Sequence, residues 1–200
     1  MEKLKIIIGK VHFLGPAYLS LFLAMFVLPV FSFAGYSILE NTTSQLGAQN
    51  TPNAWIMNLV FIMVGFASII EGWIHLKAFW FHKFIITIFG LTLILTALFQ
   101  TAPIVEGVPF NDYEDKMHTF FANIVGFSFA VFAFSAAFIV RTTWERVLAL
   151  LVSIMAIGLS VLMFSIDGYA GLFQRMMFMI AFAWLIFFLS RMSSKWKFDE

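Results

Sequence analysis

Six apolar stretches, each roughly the 20 residues needed to cross ~30 Å of hydrocarbon at 1.5 Å per residue, constrain this chain more than any other feature. They cover about residues 11–33, 54–74, 79–101, 118–140, 147–165 and 172–189. Nothing between them is long enough to fold by itself, and no heptad, repeat or low-complexity tract interrupts the pattern. Composition agrees. Only 12% of the 200 residues are charged, against about a quarter in soluble domains, and mean hydropathy is +0.94. The expected fold is an all-α membrane protein, a bundle of six transmembrane helices forming one domain over residues 1–200.

Lys and Arg fall on one side of that arrangement. Lys3, Lys5 and Lys10 precede the first stretch, Lys77 and Lys83 flank the turn after the second, Arg141 and Arg146 the turn after the fourth, and Arg191, Lys195 and Lys197 follow the sixth. The opposite side holds Glu40, Glu106, Asp112, Glu114, Asp115 and Asp167 against Lys116 and Arg175 alone. Because cytoplasmic loops retain the positive charge, both termini are expected in the cytoplasm and the chain in the cell membrane. The basic start lacks a cleavage site after its apolar run, so the first helix is expected to be kept as a signal anchor. With no Cys, thiolate chemistry and Cys-ligated metals drop out.

An ionisable side chain in hydrocarbon costs ~2.5–3.5 kcal/mol on insertion scales and marks a candidate site. On the cytoplasmic side, Glu71 and His75 share a helix face by their spacing of four, and His82 lies across a short turn. They read either as a proton-relay or metal group, or as interface residues reaching water; His12, beside Lys10, reads the same way.

The outer side is richer. The two long loops, residues 34–53 and 102–117, lie there, and long polar loops are where function concentrates. Glu40, Asn58, His118, Asp167 and Arg175 come from distant stretches, yet the topology brings all five to one membrane boundary. They are expected to form one ligand-binding pocket. Arg175 would pair with Asp167, Glu40 or a lipid phosphate, and His118, one turn after Glu114 and Asp115, is the candidate catalytic base. No HExxH spacing or nucleophile elbow occurs, and neither metal nor cofactor is expected.

The run Asn41-Thr42-Thr43-Ser44-Gln45-Leu46-Gly47, then Pro52-Asn53-Ala54 leading into Asn58 and Gly65, resembles the first outer loop and second helix of the DUF998 family of prokaryotic membrane proteins. His118-Thr119-Phe120-Phe121-Ala122 and Gly171-Leu172-Phe173-Gln174-Arg175 are similar to that family's later motifs. The resemblance covers nearly the whole chain and implies six helices but no activity. More distantly, the arrangement is similar to Frag1/DRAM-type six-helix proteins, linked to lipid and GPI-anchor handling. The seven helices and histidine ligands of ceramidase-type hydrolases are missing, so their zinc is not carried over.

Three classes of function stay open: a lipid-handling protein with an outward pocket, an intramembrane hydrolase or transferase using His118, and a small transporter or channel subunit. Transport is least favoured, because few polar residues lie at mid-membrane and no inverted repeat is evident. Membrane lipids are the expected partners, nucleic acid is not, and a homo-oligomer is left open. Gly65, Gly90, Gly126 and Gly158 lie mid-helix and most of them are expected to face other helices, so that Gly126→Leu would lower the melting temperature.

Overall fold

The computed structural model describes residues 13–195, with side chains through Met192. Six helices in it are long and apolar enough to cross a membrane, the architecture of a multi-pass membrane protein. They are α1 (Leu14–Val27, prolonged by a 3-10 turn Leu28–Phe31), α2 (Ala54–His75), α3 (Trp80–Leu98), α4 (Asp112–Ala136), α5 (Thr143–Ser165) and α6 (Ala170–Lys195). His12 and the cations at positions 3, 5, 10 and 197 lie outside the described residues.

Three boundaries reach four or more residues beyond the hydropathy reading. Helix α4 starts at Asp112, six residues earlier than expected. The Asn111 side chain caps Tyr113 and Glu114 N–H, and Asp112, Glu114 and Asp115 in the first turn suit the positive end of the helix dipole. Helix α5 starts at Thr143 rather than 147 because Thr142 and Glu145 form a capping box. Helix α6 runs to Lys195, beyond the expected 189. Glu145 then serves twice, since its carboxylate, 5% exposed, accepts from Arg191 Nε at 3.0 Å.

Consecutive helices pack side by side, and α6 closes the ring against α1 while also touching α2. Aromatic side chains fill the middle. Phe182 of α6 meets Phe89 of α3, and Trp184 and Phe188 of α6 pack edge-on against Phe132 of α4. Outward faces stay apolar: Phe127, Phe138 and Phe164 are each more than 70% exposed, as lipid-facing side chains are.

Small residues set the closest approach. A Cβ on Gly65 would lie 2.6 Å from the Gly90 carbonyl, and one on Gly90 would lie 2.5 Å from that of Gly65, so α2 and α3 touch backbone to backbone. Gly126 and Gly158 correct the expectation: a Cβ on either meets nothing within 4 Å. Their midpoint positions in sequence do not decide which way they face.

Candidate functional site

The long-loop end is organised by Arg175. Its guanidinium, 1% exposed, is held entirely by backbone and one phenol. Nε donates to Met25 O at 3.2 Å, Nη1 lies 2.8–3.0 Å from the carbonyls of Ile38, Asn41 and Gly171, and Nη2 donates to the Tyr36 hydroxyl at 2.7 Å. No carboxylate is among these partners. The expected pairing with Asp167 or Glu40 is therefore replaced: Glu40 and Asp167 are exposed, and Glu40 contributes its backbone carbonyl to Gly171 N–H at 3.2 Å. An arginine fork with five N–H donors can satisfy a turn of carbonyls that would otherwise be buried unpaired. Burial pushes the Tyr36 phenol up, while the adjacent guanidinium pulls it back.

The neighbouring residue on α6 faces elsewhere. Gln174 Oε1 accepts the N–H of Thr43 at 2.6 Å and of Ser44 at 3.4 Å, capping the 3-10 turn Thr43–Gly47, and its Nε2 donates to Ser44 Oγ. Gly171 fits because any Cβ there would strike the carbonyls of Asn41 and Ile38. Asn58 Nδ2 donates to Gly47 O at 3.1 Å, and Gly47 lies so close to that amide that a side chain would displace it. The loop run 41–47 and the α6 start 171–175 are thus two sides of one interlock.

His118, expected to open a helix, lies in the second turn of α4 and is buried. Its Nδ1 is 2.9 Å from the carbonyls of both Thr96 and Phe99. Since carbonyls only accept, Nδ1 carries the proton and closes the C-terminal end of α3. Asp115 works beside it, accepting from Thr101 Oγ1 and Ala102 N–H. Gln49 ties this region to the first loop through Gln100 O and both backbone groups of Asn111.

At the short-turn end, Glu71 and His75 form a buried pair at 2.6 Å, with 2% and 4% exposure, so they face the protein interior rather than reaching water. His82 stands apart from them. Its ring packs among Phe79, Phe81 and Phe132, and its Nε2 is buried without a hydrogen-bond partner. Among the described residues no three His, Asp or Glu side chains come together as a metal site would require.

A large cleft lies elsewhere. A cleft of about 830 Å³ runs between α4 and α5, walled by Gly126, Ala130, Val131 and Phe134 on one side and Ala156, Ile157, Val161 and Phe164 on the other. At the long-loop end its lining includes Ser44, Thr96, Asn123, Ser160 and Gln174. On α4 it extends from Ala122 to Ser135, about 20 Å at 1.5 Å per residue. Several wall residues, Phe127, Ile157 and Val161 among them, are more than half exposed, so the cleft opens sideways toward the space that lipid occupies. Of the five residues expected to share a pocket, none lines it. Sequence reasoning passed over this cleft because its residues are ordinary for a membrane helix; the one available signal was the cluster of amides and hydroxyls Ser44, Asn123 and Gln174 at helix ends facing one side.

Residues 17–191 match the family model described as "Protein of unknown function (DUF998)". No curated protein and no solved structure matches, so the likeness to Frag1/DRAM-type proteins gains nothing from them.

Proposed function

The chain belongs to the DUF998 family, and from that premise and the geometry above we propose that it is a lipid-binding protein of the cell membrane, taking an amphiphile sideways from the bilayer into the α4–α5 cleft. One observation carries the reading: the cleft has the volume of a ligand site, within the ~300–1,000 Å³ common for such sites, with walls that are apolar along most of its length apart from Ser135 and Ser153, whose hydroxyls donate to the Phe132 and Ala130 carbonyls, and with amides and further hydroxyls gathered at one end. That gradient matches an acyl chain with its head at the membrane boundary. The hydrolase alternative is weaker, because His118 is committed to two backbone carbonyls and is absent from the cleft lining. A second copy of the chain is the competing occupant.

Gly126 gives the test. It lines the cleft and has open space where a side chain would go, so Gly126→Phe fills the cavity without striking the backbone. The expected result is loss of copurifying lipid, read by mass spectrometry of the extracted protein, with a melting temperature unchanged or raised. Replacing a mid-helix glycine also removes a helix penalty of about 1 kcal/mol. A full lipid complement in this variant would sink the reading. So would disulfide cross-linking between copies through single cysteines at positions 127 and 161.

The orientation we infer has both termini and the turns after α2 and α4 in the cytoplasm, supported by the Lys and Arg distribution. The chain has no Cys, so single cysteines report cleanly. A cysteine at 116, in place of the exposed Lys116 that pairs with Asp112, should react with an impermeant maleimide in intact cells, and one at 77 only after permeabilisation. Labelling at 77 in intact cells would invert the topology.

A further inference from the structure

Resting on the cleft reading above, we infer that the occupant is a lipid with an uncharged, hydroxyl-bearing head, such as a mono- or diacylglycerol or a long-chain alcohol, and not a phospholipid. The argument is one of donors, acceptors and charge. No Asp, Glu, Lys, Arg or His lines the cleft anywhere along its length. The cation nearest in sequence, Arg175, is one residue from the lining Gln174, but successive helical positions point about 100° apart. Its guanidinium is turned to α1 and the first loop, 1% exposed and occupied by four carbonyls and the Tyr36 hydroxyl. A phosphate in this cleft would have no cation to meet, and a charge moved into an apolar site without one is strongly disfavoured.

What the polar end offers instead is a neutral set of both kinds. Ser44 Oγ accepts from Gln174 at 3.4 Å, and no acceptor among the described residues takes its own proton. The Asn123 carboxamide has no partner among the described residues and supplies both an N–H donor and a carbonyl acceptor. Thr96 and Ser160 each donate elsewhere, to Thr92 O at 2.8 Å and to Met177 Sδ at 3.3 Å, so their oxygens remain as acceptors. A hydroxyl both donates and accepts, which is what this arrangement can satisfy. An ester-linked glycerol adds acceptors for Ser44 and Asn123.

The test reconstitutes the full chain in nanodiscs holding equal fractions of dioleoylglycerol, dioleoylphosphatidylglycerol and dioleoylphosphatidylcholine. Lipid retained after detergent extraction is then quantified by mass spectrometry. We expect dioleoylglycerol enriched over either phospholipid by about tenfold, equivalent to about 1.4 kcal/mol. Asn123→Leu should bring that enrichment close to unity while total bound lipid persists, and Asn123→Gln should recover part of it. Equal retention of the three lipids, preference for a phospholipid, or an enrichment untouched by Asn123→Leu would overturn the head-group assignment. Those outcomes are distinct from failure of the cleft itself, which is read separately: there, Gly126→Phe retains as much lipid as the native chain.

Discussion

Replacing Arg175 with Met should lower the melting temperature of the detergent-solubilised protein by ~10 °C or more, the largest loss expected from any single polar side chain. Methionine keeps the length and apolar volume but removes all five N–H donors. The carbonyls of Met25, Ile38 and Asn41 are then left without that partner in a region that excludes water, and the Tyr36 hydroxyl loses the donor at 2.7 Å. Each orphaned buried group costs about 1–3 kcal/mol, and losses on the order of 4 kcal/mol are typical when a buried charged network is broken. At about 2–4 °C per kcal/mol for a chain of this size, the shift follows. Arg175→Lys should recover little, since a single ammonium cannot reach carbonyls spread around a planar fork. The outcome that defeats this account is a melting curve for Arg175→Met that overlays the native one. The loss should also persist when phospholipid is added back, because the partners are protein carbonyls and not a phosphate.

Arg175 also marks the line between what the chain's sequence discloses and what it does not. That a buried cation near a helix start needs partners was legible from one residue and its position. Which partners was not. Carboxylates announce themselves in a sequence, so Asp167 and Glu40 were the natural guess, whereas backbone carbonyls belong to every residue and become a binding cage only when residues 36–41 curl against α6. The helix spans were legible because hydropathy over 20 residues averages out local detail. Their starts were not where side-chain caps overrode hydropathy, as Asn111 and Thr142 do for α4 and α5. The cleft escaped for a different reason. A cavity is a relation between two helices, α4 and α5, and Ala130, Val131, Ala156 and Val161 would read the same in a helix packed tightly on its neighbour.

The glycines carry that lesson into the second large effect. Gly65→Leu or Gly90→Leu should prevent recovery of a monodisperse folded protein, while Gly158→Leu should be recovered normally with an unchanged or slightly raised melting temperature. All three glycines lie mid-helix in apolar spans and look alike in sequence. The difference is what stands opposite. At Gly65 the obstacle to a Cβ is the carbonyl of Gly90 together with Ile94, and at Gly90 it is the carbonyl of Gly65 together with Ile69. Backbone cannot rotate aside as a side chain can, so α2 and α3 must separate. Separation also disturbs Gly72 against Ile86 on the same face. In a bilayer, apolar surface gains nothing by leaving lipid, so close packing carries much of what holds two helices together, and moving them apart forfeits contacts along the whole interface. Gly65→Ala grades the effect: one methyl, 2.6 Å from a carbonyl oxygen, should cost about 1–3 kcal/mol, the usual range for overpacking. At Gly158 no atom outside its own helix lies within 4 Å, so leucine there adds a lipid-facing side chain and a better helix former. Equal tolerance of leucine at positions 65 and 158 would mean that α2 and α3 do not meet at these glycines.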